Sequence, residues 1–397
     1  MTTTALPPVN PVVIGWARRE SGYGPERIAQ RLSVAVDRVL AWEAGARAPT
    51  MRQVHNLASF LRRPVTLFFQ PAPPQVAPLA AEYRRLPGVI PGKESPELRL
   101  ALRQMINRRE RALDLSDELG VDLPGIGLTA KHVEAPHVVA ARIRTRLGIN
   151  NSDQLAWKNG WQAWRHWRTA TESIGVLVFQ FPGVALDEVR GLALLHQPLP
   201  VIGINSKETV PEARVYTLIH ELVHLALAAG ADEKPALTDT HDDQTWATFE
   251  QFADATASHV ILPTGMLDAL LGSEKTAKVF DVAGVRRLAR QVGITPLAFA
   301  TRLLMDDRMS RSAYQNWRGE WAEWLQAHPP KGGGFSLPDQ KALGRNGRPF
   351  VRLVFDALAQ NRITATDAAR YLDLRYQHFP KLTNRLIGPI DLGEGDA

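Results

Sequence analysis

The sequence predicts a mainly α-helical protein with one small β-sheet, an α+β fold built from two or three domains. Three observations indicate this fold. Apolar residues recur at spacings of three and four through most of the 397 residues, as they do on amphipathic helices. Short β-rich runs are concentrated between residues 174 and 205. A proline-rich stretch at 71–78 and a glycine run at 331–334 interrupt the helical pattern.

These interruptions place the domain boundaries. The predicted segments are an all-α N-terminal domain, a linker, a central core with leading helices, a helical extension and a C-terminal helical module, at 1–70, 71–94, 95–263, 264–330 and 331–397. We expect Pro71–Pro78 to be an extended tether. Beyond Lys331–Gly334, the runs Arg352–Ala357 and Ile363–Leu372 predict paired helices. This last module is expected either to bind a partner or to dock on the central core.

Composition limits the chemistry that is open to the chain. The absence of cysteine excludes disulfides and thiolate ligands, so a metal ion would need His, Asp or Glu. We expect a cytoplasmic protein, because the N-terminus lacks the features of a signal peptide. No apolar run approaches the ~18 residues of a membrane span, so no membrane partner is expected.

The net charge of +6 is unevenly distributed. Residues 1–70 hold nine arginines and four acids, a net +5, and residues 341–386 hold nine basic and three acidic residues, a net +6. Residues 205–263 hold three basic and ten acidic residues, a net −7. Basic ends suit nucleic acid or an acidic partner, whereas an acidic middle suits a divalent cation.

The N-terminal domain is predicted to contain four short helices. The first is predicted from Pro11 to Ser21, the second begins at Pro25, and the third runs from about Ala35 to Ala44. Thr50 is placed to cap the fourth helix. The tight turn between the second and third helices has the spacing of a helix-turn-helix.

This domain resembles the Xre-type, lambda-repressor-like helix-turn-helix. The resemblance rests on Ile28-Ala29, Leu32-Ser33-Val34, Val39, Trp42-Glu43, Gly45 and Pro49-Thr50. It implies double-stranded operator DNA as a partner and a homodimer formed through this domain. The implied recognition helix begins with Ala35, Val36 and Arg38, of which Arg38 would reach a base edge. The implied phosphate contacts are Arg27, Arg31, Arg47 and Arg52.

The sequence leaves an alternative for this domain. Pro25 stands where the family often has a glutamine that contacts the DNA backbone. A helical module that only dimerises or binds protein would carry the same apolar pattern.

The central core begins with a predicted tryptophan-rich helix and a small sheet. Trp157, Trp161, Trp164 and Trp167 follow at spacings of four, three and three, which predicts one packed face of a helix. Three β-rich runs come next, at Ile174–Phe181, Val189–Leu195 and Val201–Asn205. We expect the edges of this sheet to be available to an extended peptide.

The stretch His220-Glu221-Leu222-Val223-His224 follows the sheet. Residues four apart share one face of a helix, so the two histidines can offer their imidazoles to one metal ion. Glu221 lies beside them, where it could act on a water molecule. The alternative is an amphipathic helix that carries two histidines by chance.

A following helix is expected to supply the third ligand. Glu250 and Asp254 are four residues apart, so Glu250 is predicted to bind the ion and Asp254 to accept the second ring N–H of a ligating histidine. Apolar neighbours predict that this face is buried. His259 lies about half a turn away from Glu250 and is predicted to be structural. His241 lies in a polar loop and is predicted to be solvated, with oxyanion assistance as the alternative.

The core resembles the ImmA/IrrE family of gluzincin-like zinc metallopeptidases, over about Glu82 to Leu304. The resemblance rests on the motifs Val201–Asn205, Arg214–Thr217, His220–His224, and Glu250-x-x-Ala253-Asp254 ending at Leu262-Pro263. Thr256 and Val223 depart from the family's usual Phe and Gly. The resemblance implies a zincin-like core that holds Zn²⁺, or alternatively Mn²⁺, through His220, His224 and Glu250, with Glu221 as general base. After this core, Val282–Met305 predicts a small helix-turn-helix-like unit.

The family resemblance implies an enzyme that cleaves a transcriptional repressor or a similar regulatory protein in a stress, mobile-element or defence response. Cleavage of the chain's own tether at 71–78 is a further alternative. A rival hypothesis is an Xre-type repressor or antitoxin whose peptidase-like domain binds a partner toxin with little turnover. In a third, the metal only stabilises the fold.

Overall fold

The computed structural model describes residues 8–272, 280–328 and 336–388, so the predicted break at Lys331–Gly334 lies outside the described residues. The chain divides into two compact units. The first comprises residues 1–81 and 88–104, and the second comprises residues 82–87 and 105–397. The fold is mainly helical with one small sheet, as the sequence predicts. Among the described helices, none has the length and apolarity that crossing a bilayer requires.

The N-terminal unit contains the four short helices predicted from the sequence. They are α1 (Pro11–Glu20), α2 (Pro25–Leu32), α3 (Val36–Glu43) and α4 (Met51–Leu61), followed by 3-10 turns at Val65–Phe69 and Leu79–Ala81. Thr50 caps α4 as expected, because its hydroxyl oxygen accepts from the N–H of Gln53 while Gln53 accepts from the N–H of Thr50. The apolar faces of the four helices form one core that includes Val13, Ile14, Ala17, Ile28, Ala29, Val39, Trp42, Val54, Leu57, Ala58 and Leu61.

The turn between α2 and α3 has defined geometry. Ser33 adopts the left-handed conformation (φ 55°), and the N–H of Val34 donates to the carbonyl of Ala29 at 3.0 Å. Arg18 and Glu43 join α1 to α3 through two hydrogen bonds of 2.6 and 2.9 Å. Together these contacts fix α3 with its first turn at the surface of the unit.

The second unit is built around a three-stranded sheet, with strands β1 (Leu177–Phe181), β2 (Gly191–Leu194) and β3 (Val201–Asn205). The strand order is β1-β3-β2, with β3 parallel to β1 and antiparallel to β2. The surrounding helices are α5 (Pro96–Leu119, which begins in the first unit), α6 (Pro136–Leu147), α7 (Asn151–Leu155), α8 (Gly160–Ser173), α9 (Pro211–Ala229), α10 (Asp243–Ile261), α11 (Thr264–Gly272), α12 (Val282–Val292), α13 (Pro296–Met305), α14 (Arg311–Ala327), α15 (Pro338–Asn346), α16 (Arg348–Ala359), α17 (Ala365–Leu372) and α18 (Phe379–Ile387), with a 3-10 turn at Tyr376–His378.

The predicted tryptophan face is wrong at one position. Trp157 lies before α8, because the side chain of Asn159 accepts from the N–H of Gln162 and starts the helix there. Trp164 and Trp167 are fully buried on α8, and the ring of Trp157 meets that of Trp167 edge-on at 5.9 Å. The tryptophans therefore pack, as expected, but do not share one helix.

A close approach of β2 and α9 fixes the central helix. A Cβ atom added at Gly191 would lie 2.3 Å from Cγ2 of Thr217 and 3.3 Å from Cγ of Glu221. Only a residue without a side chain fits between this strand and this helix. The contact places Glu221 beside β2.

Other segments contact both edges of the sheet, so the edges are partly occupied and not free as expected. At β2, Tyr83 pairs antiparallel with Leu194 in an isolated bridge. At β1, helix α15 packs along the strand, and Nη2 of Arg168 donates to the carbonyls of both Val178 and Gly344. The C-terminal module thus docks on the core, against β1 and α8, where Phe179 meets Phe350 edge-on.

Candidate metal centre

Helices α9 and α10 bring together the three predicted ligands. The Nε2 atoms of His220 and His224 lie 3.0 Å apart. Oε2 of Glu250 lies 3.4 Å from Nε2 of His220, and its Oε1 lies 3.5 Å from Nε2 of His224. Ligand atoms from all three residues lie within 4.8 Å of one another. Residues that are 30 positions apart in the sequence therefore converge on one point.

A carboxylate lies beside the outer nitrogen of each imidazole. Nδ1 of His224 lies 2.7 Å from Oε2 of Glu233, and Nδ1 of His220 lies 3.0 Å from Oδ1 of Asp254. The hydroxyl of Tyr216 donates to the same oxygen of Asp254 at 3.0 Å. Asp254 thus lies beside His220 as the sequence predicts, but Nδ1 of His220 makes no hydrogen bond to any described residue in this arrangement. Glu233 and Tyr216 are not predicted from the sequence.

The donor set fits a zinc ion. The carboxylates lie beside the Nδ1 atoms, and the Nε2 atoms of both rings face each other and Glu250. Two imidazole nitrogens and one carboxylate are the protein ligands of many catalytic zinc sites. The buried Nε2 of His224 lies 3.0 Å from Nε2 of His220, and a shared cation would satisfy both nitrogens.

The electrostatics of the cluster follow from burial and close charges. Burial opposes protonation of His220, but the contacts with Asp254 and Glu250 outweigh it and raise its pKa to about 9. Burial and the positive charge of Arg84 hold the pKa of His224 well below its usual value. Burial raises the pKa of Glu233 to about 8, against the opposing charge of Arg84.

Arg84 is an unpredicted member of the site. Its side chain is almost fully buried, and burial acts to lower its pKa, but the charges of Glu221 and Glu250 outweigh burial and hold the pKa above its usual value. Nε and Nη2 donate to the two carboxylate oxygens of Glu221 at 3.1 and 3.2 Å, and Nη1 donates to Oε1 of Glu250 at 2.7 Å. The carboxylate of the predicted general base is therefore held on both oxygens.

The predicted burial of the acidic face of α10 is only partly correct. The side chain of Glu250 is 17% exposed, but that of Asp254 is 58% exposed. The apolar neighbours on α10, which are Phe249, Phe252, Ala253 and Ala257, are buried on the adjoining face of the helix. Asp254 therefore reaches His220 from the solvent side.

Two other histidines lie outside the metal cluster. Nδ1 of His259 lies 2.8 Å from Nη2 of Arg302, and burial with this positive neighbour lowers the pKa of His259 to about 4. His241 is only partly solvated, since its side chain is 27% exposed. Its Nδ1 lies 2.6 Å from Oδ1 of Asp239, and its ring packs edge-on against Phe249 at 4.9 Å.

The predicted DNA-contacting residues lie mostly on the surface of the N-terminal unit. Val36 is half-buried, and the exposed ones are Arg27, Arg31, Ala35, Arg38, Arg47 and Arg52. Arg27 donates to the side chain of Gln30 at 2.6 Å, and Arg31 lies over the ring of Phe60 at 6.0 Å. Pro25 occupies the first turn of α2, as predicted from the sequence.

This fold and site define a metallopeptidase-type domain: a helix with two histidines and a glutamate beside a small sheet, and a third ligand from the next long helix. Residues 171–304 match the Peptidase_M78 family, described as the IrrE N-terminal-like domain, which is a zinc metallopeptidase type. The match covers about a third of the chain and confirms the ImmA/IrrE part of the resemblance. It includes all three predicted ligands and Glu221, but not Arg84. No curated protein matches the chain.

Proposed function

We propose that this chain is a DNA-linked zinc metalloendopeptidase that cleaves a transcriptional repressor or a similar regulatory protein. The observation that carries the proposal is the convergence of His220, His224 and Glu250, next to Glu221, inside the region that matches the peptidase family. The exposed arginines on α2 and α3 support operator DNA as a second ligand of the N-terminal unit.

Each residue of the site has a role in this proposal. Zinc held by this donor set supplies a Lewis acid that lowers the pKa of water and polarises a carbonyl. Glu221 takes a proton from the attacking water at its carboxylate and passes that proton to the leaving amine. Glu233 holds the ring of His224 in the orientation that directs its Nε2 atom inward, and Asp254 lies 3.0 Å from Nδ1 of His220.

Cleavage assays test this function. The zinc-loaded chain is incubated with the products of neighbouring genes, including any repressor among them, and the peptides are identified by mass spectrometry. We expect one cut protein, and we expect Glu221→Gln to retain zinc while losing cleavage. Undiminished cleavage by Glu221→Gln, or by protein without zinc, would refute the proposal.

A gel-shift assay on the promoter of the chain's own gene tests the proposed DNA contact. Arg38 is exposed on α3, so Arg38→Ala should weaken binding and relax sequence preference. Arg19→Ala removes an equally exposed arginine from α1 and is the matched control. Equal binding by both variants would count against α3 as the recognition helix.

One observation favours a second candidate function. Both carboxylate oxygens of Glu221 accept hydrogen bonds from Arg84, which leaves the proposed base engaged in this conformation. An Xre-type repressor or antitoxin that binds a toxin without turnover would have no need of a free base. That alternative predicts toxin binding and DNA binding that Glu221→Gln leaves unchanged.

A further inference from the structure

Six residues, Glu82–Pro87, form a segment that we call the strap. It runs between β2 and the loop after α9, and it is hydrogen-bonded to both. The N–H of Arg84 donates to the carbonyl of Ala193 at 3.3 Å, and the N–H of Leu195 donates to the carbonyl of Glu82 at 3.3 Å. On the other side, the N–H of Ala236 donates to the carbonyl of Tyr83 at 2.7 Å. The strap therefore pairs with the end of β2 through one antiparallel bridge, between Tyr83 and Leu194.

The side chain of Arg84 extends from the strap into the metal centre. Its guanidinium contacts both oxygens of Glu221 at 3.1 and 3.2 Å, and it also contacts Oε1 of Glu250 at 2.7 Å. Its Nη1 donates in addition to the carbonyl of Arg85 at 2.8 Å. Both carboxylate oxygens of Glu221 are therefore occupied by hydrogen bonds from one buried guanidinium.

The strap is anchored by more than one residue. Tyr83 and Leu86 are 0% and 2% exposed. The side chain of Arg85 forms an ion pair with Asp243 and lies over the ring of Trp246 at 5.0 Å. Because two carboxylates surround the guanidinium of Arg84, its charge is compensated within the protein. Each of the three guanidinium nitrogens of Arg84 thus donates to at least one acceptor.

We propose that the strap is an intramolecular inhibitor of the peptidase, with Arg84 as the group that blocks Glu221. This inference rests on the proposed function. A peptide that is cleaved must bring its carbonyl next to Glu221, and the strap fills that place and pairs with the adjacent end of β2. Cleavage therefore requires that the strap leave β2 and that Arg84 release Glu221.

Chain connectivity links the strap to the N-terminal unit. The residues on both sides of it, 1–81 and 88–104, belong to that unit, while the strap itself belongs to the peptidase unit. The strap is thus continuous in sequence, at both of its ends, with residues that belong to the other unit.

The first test measures access to the site without relying on turnover. The zinc-loaded full chain is titrated with a blocked tripeptide hydroxamate, a probe that combines a zinc-binding group with an extended backbone. We expect Arg84→Ala and Arg84→Gln to bind the probe at least about 10-fold more tightly than the unaltered chain, since the strap no longer competes for the site. Arg142→Ala is the control, because it breaks a surface ion pair with Glu134. This variant should bind the probe with the same affinity as the unaltered chain.

The second test measures the strap itself by amide hydrogen exchange. The N–H groups of Leu195 and Ala236 donate to the strap, so their exchange should accelerate in Arg84→Ala. The N–H of Leu177, which donates to the carbonyl of Pro200, is the internal reference and should exchange at its original rate. Acceleration confined to the strap partners separates displacement of the strap from general loss of stability.

The outcomes are distinct. Unchanged probe affinity together with unchanged exchange would overturn the proposal, and so would Arg84 variants that lose cleavage while binding the probe normally. The latter result would make Arg84 a catalytic residue. If the unaltered chain binds no zinc, the proposed function fails and the probe binds no variant. Exchange at Leu195 and Ala236 then still decides whether Arg84 holds the strap in place.

Discussion

The contact between Glu233 and His224 predicts how strongly Glu233 supports zinc binding. Its Oε2 lies 2.7 Å from Nδ1 of His224, and both side chains are almost completely buried. Glu233→Ala removes this contact and leaves the Nδ1–H of His224 without an acceptor in the protein interior. An unsatisfied buried donor costs about 1–3 kcal/mol. The cost is greater when the ring must hold one orientation to bind a metal ion.

The expected magnitude is a 10- to 100-fold loss of zinc affinity, the usual effect of removing such an outer partner. That loss corresponds to about 1.4–2.7 kcal/mol, which matches the cost of the unsatisfied donor. Competition with a chromophoric chelator at pH 7.5 measures the affinity. Asp239→Ala is the matched control, since it removes another carboxylate–histidine contact, of 2.6 Å to Nδ1 of His241, which is not one of the three ligands. If Glu233→Ala binds zinc as tightly as the unaltered chain does, this role for Glu233 is refuted.

Three further predictions follow from the same structure. Gly191→Ala should lower the free energy of unfolding by about 1–3 kcal/mol, because its Cβ would lie 2.3 Å from Cγ2 of Thr217; urea titration measures this. Zinc should be released below about pH 6, because ligand histidines must be neutral; metal analysis after dialysis measures this. The pKa of His259 falls to about 4 on folding, so the folded state loses stability relative to His259→Asn as pH drops from 6.5 towards 4. At pH 5 the relative loss should be about 1 kcal/mol after discounting for the half-exposed ring.

Each of these predictions has a clear contrary result. For Gly191, the control is Gly265→Ala, where an added Cβ meets nothing within 4 Å; equal stability of the two variants would contradict the close approach of β2 and α9. Unchanged zinc content at pH 4 would exclude histidine ligation. A stability difference between His259→Asn and the unaltered chain that stays constant from pH 7 to pH 5 would show that His259 does not titrate differently in the folded state.

The sequence predicts those parts of the site that depend on local spacing. His220, His224 and Glu221 share one helix, and Glu250 and Asp254 share the next, so a four-residue interval is sufficient to group them. The four N-terminal helices and the three strands are likewise marked by caps, turns and β-rich runs.

Arg84 and Glu233 could not be predicted in the same way. Arg84 is 137 residues from Glu221, and only the pairing of the strap with β2 brings the two together. Glu233 lies in a loop, where no periodicity relates it to His224. Trp157 was misplaced because the helical spacing of the tryptophans continues across the start of α8, which Asn159 determines through its cap. The positions of Arg84 and Glu233 depend on tertiary contacts, and the start of α8 depends on its cap; periodicity in the sequence predicts none of these.

Native mass spectrometry of the purified full chain tests the central claim most directly, since it counts bound metal ions without requiring a substrate. The proposed site predicts one zinc ion per chain in the unaltered protein and in Glu221→Gln. It predicts no bound zinc when His220→Ala and His224→Ala are combined. A chain that binds no zinc, or a double variant that retains the full amount, would contradict a metal centre at His220, His224 and Glu250.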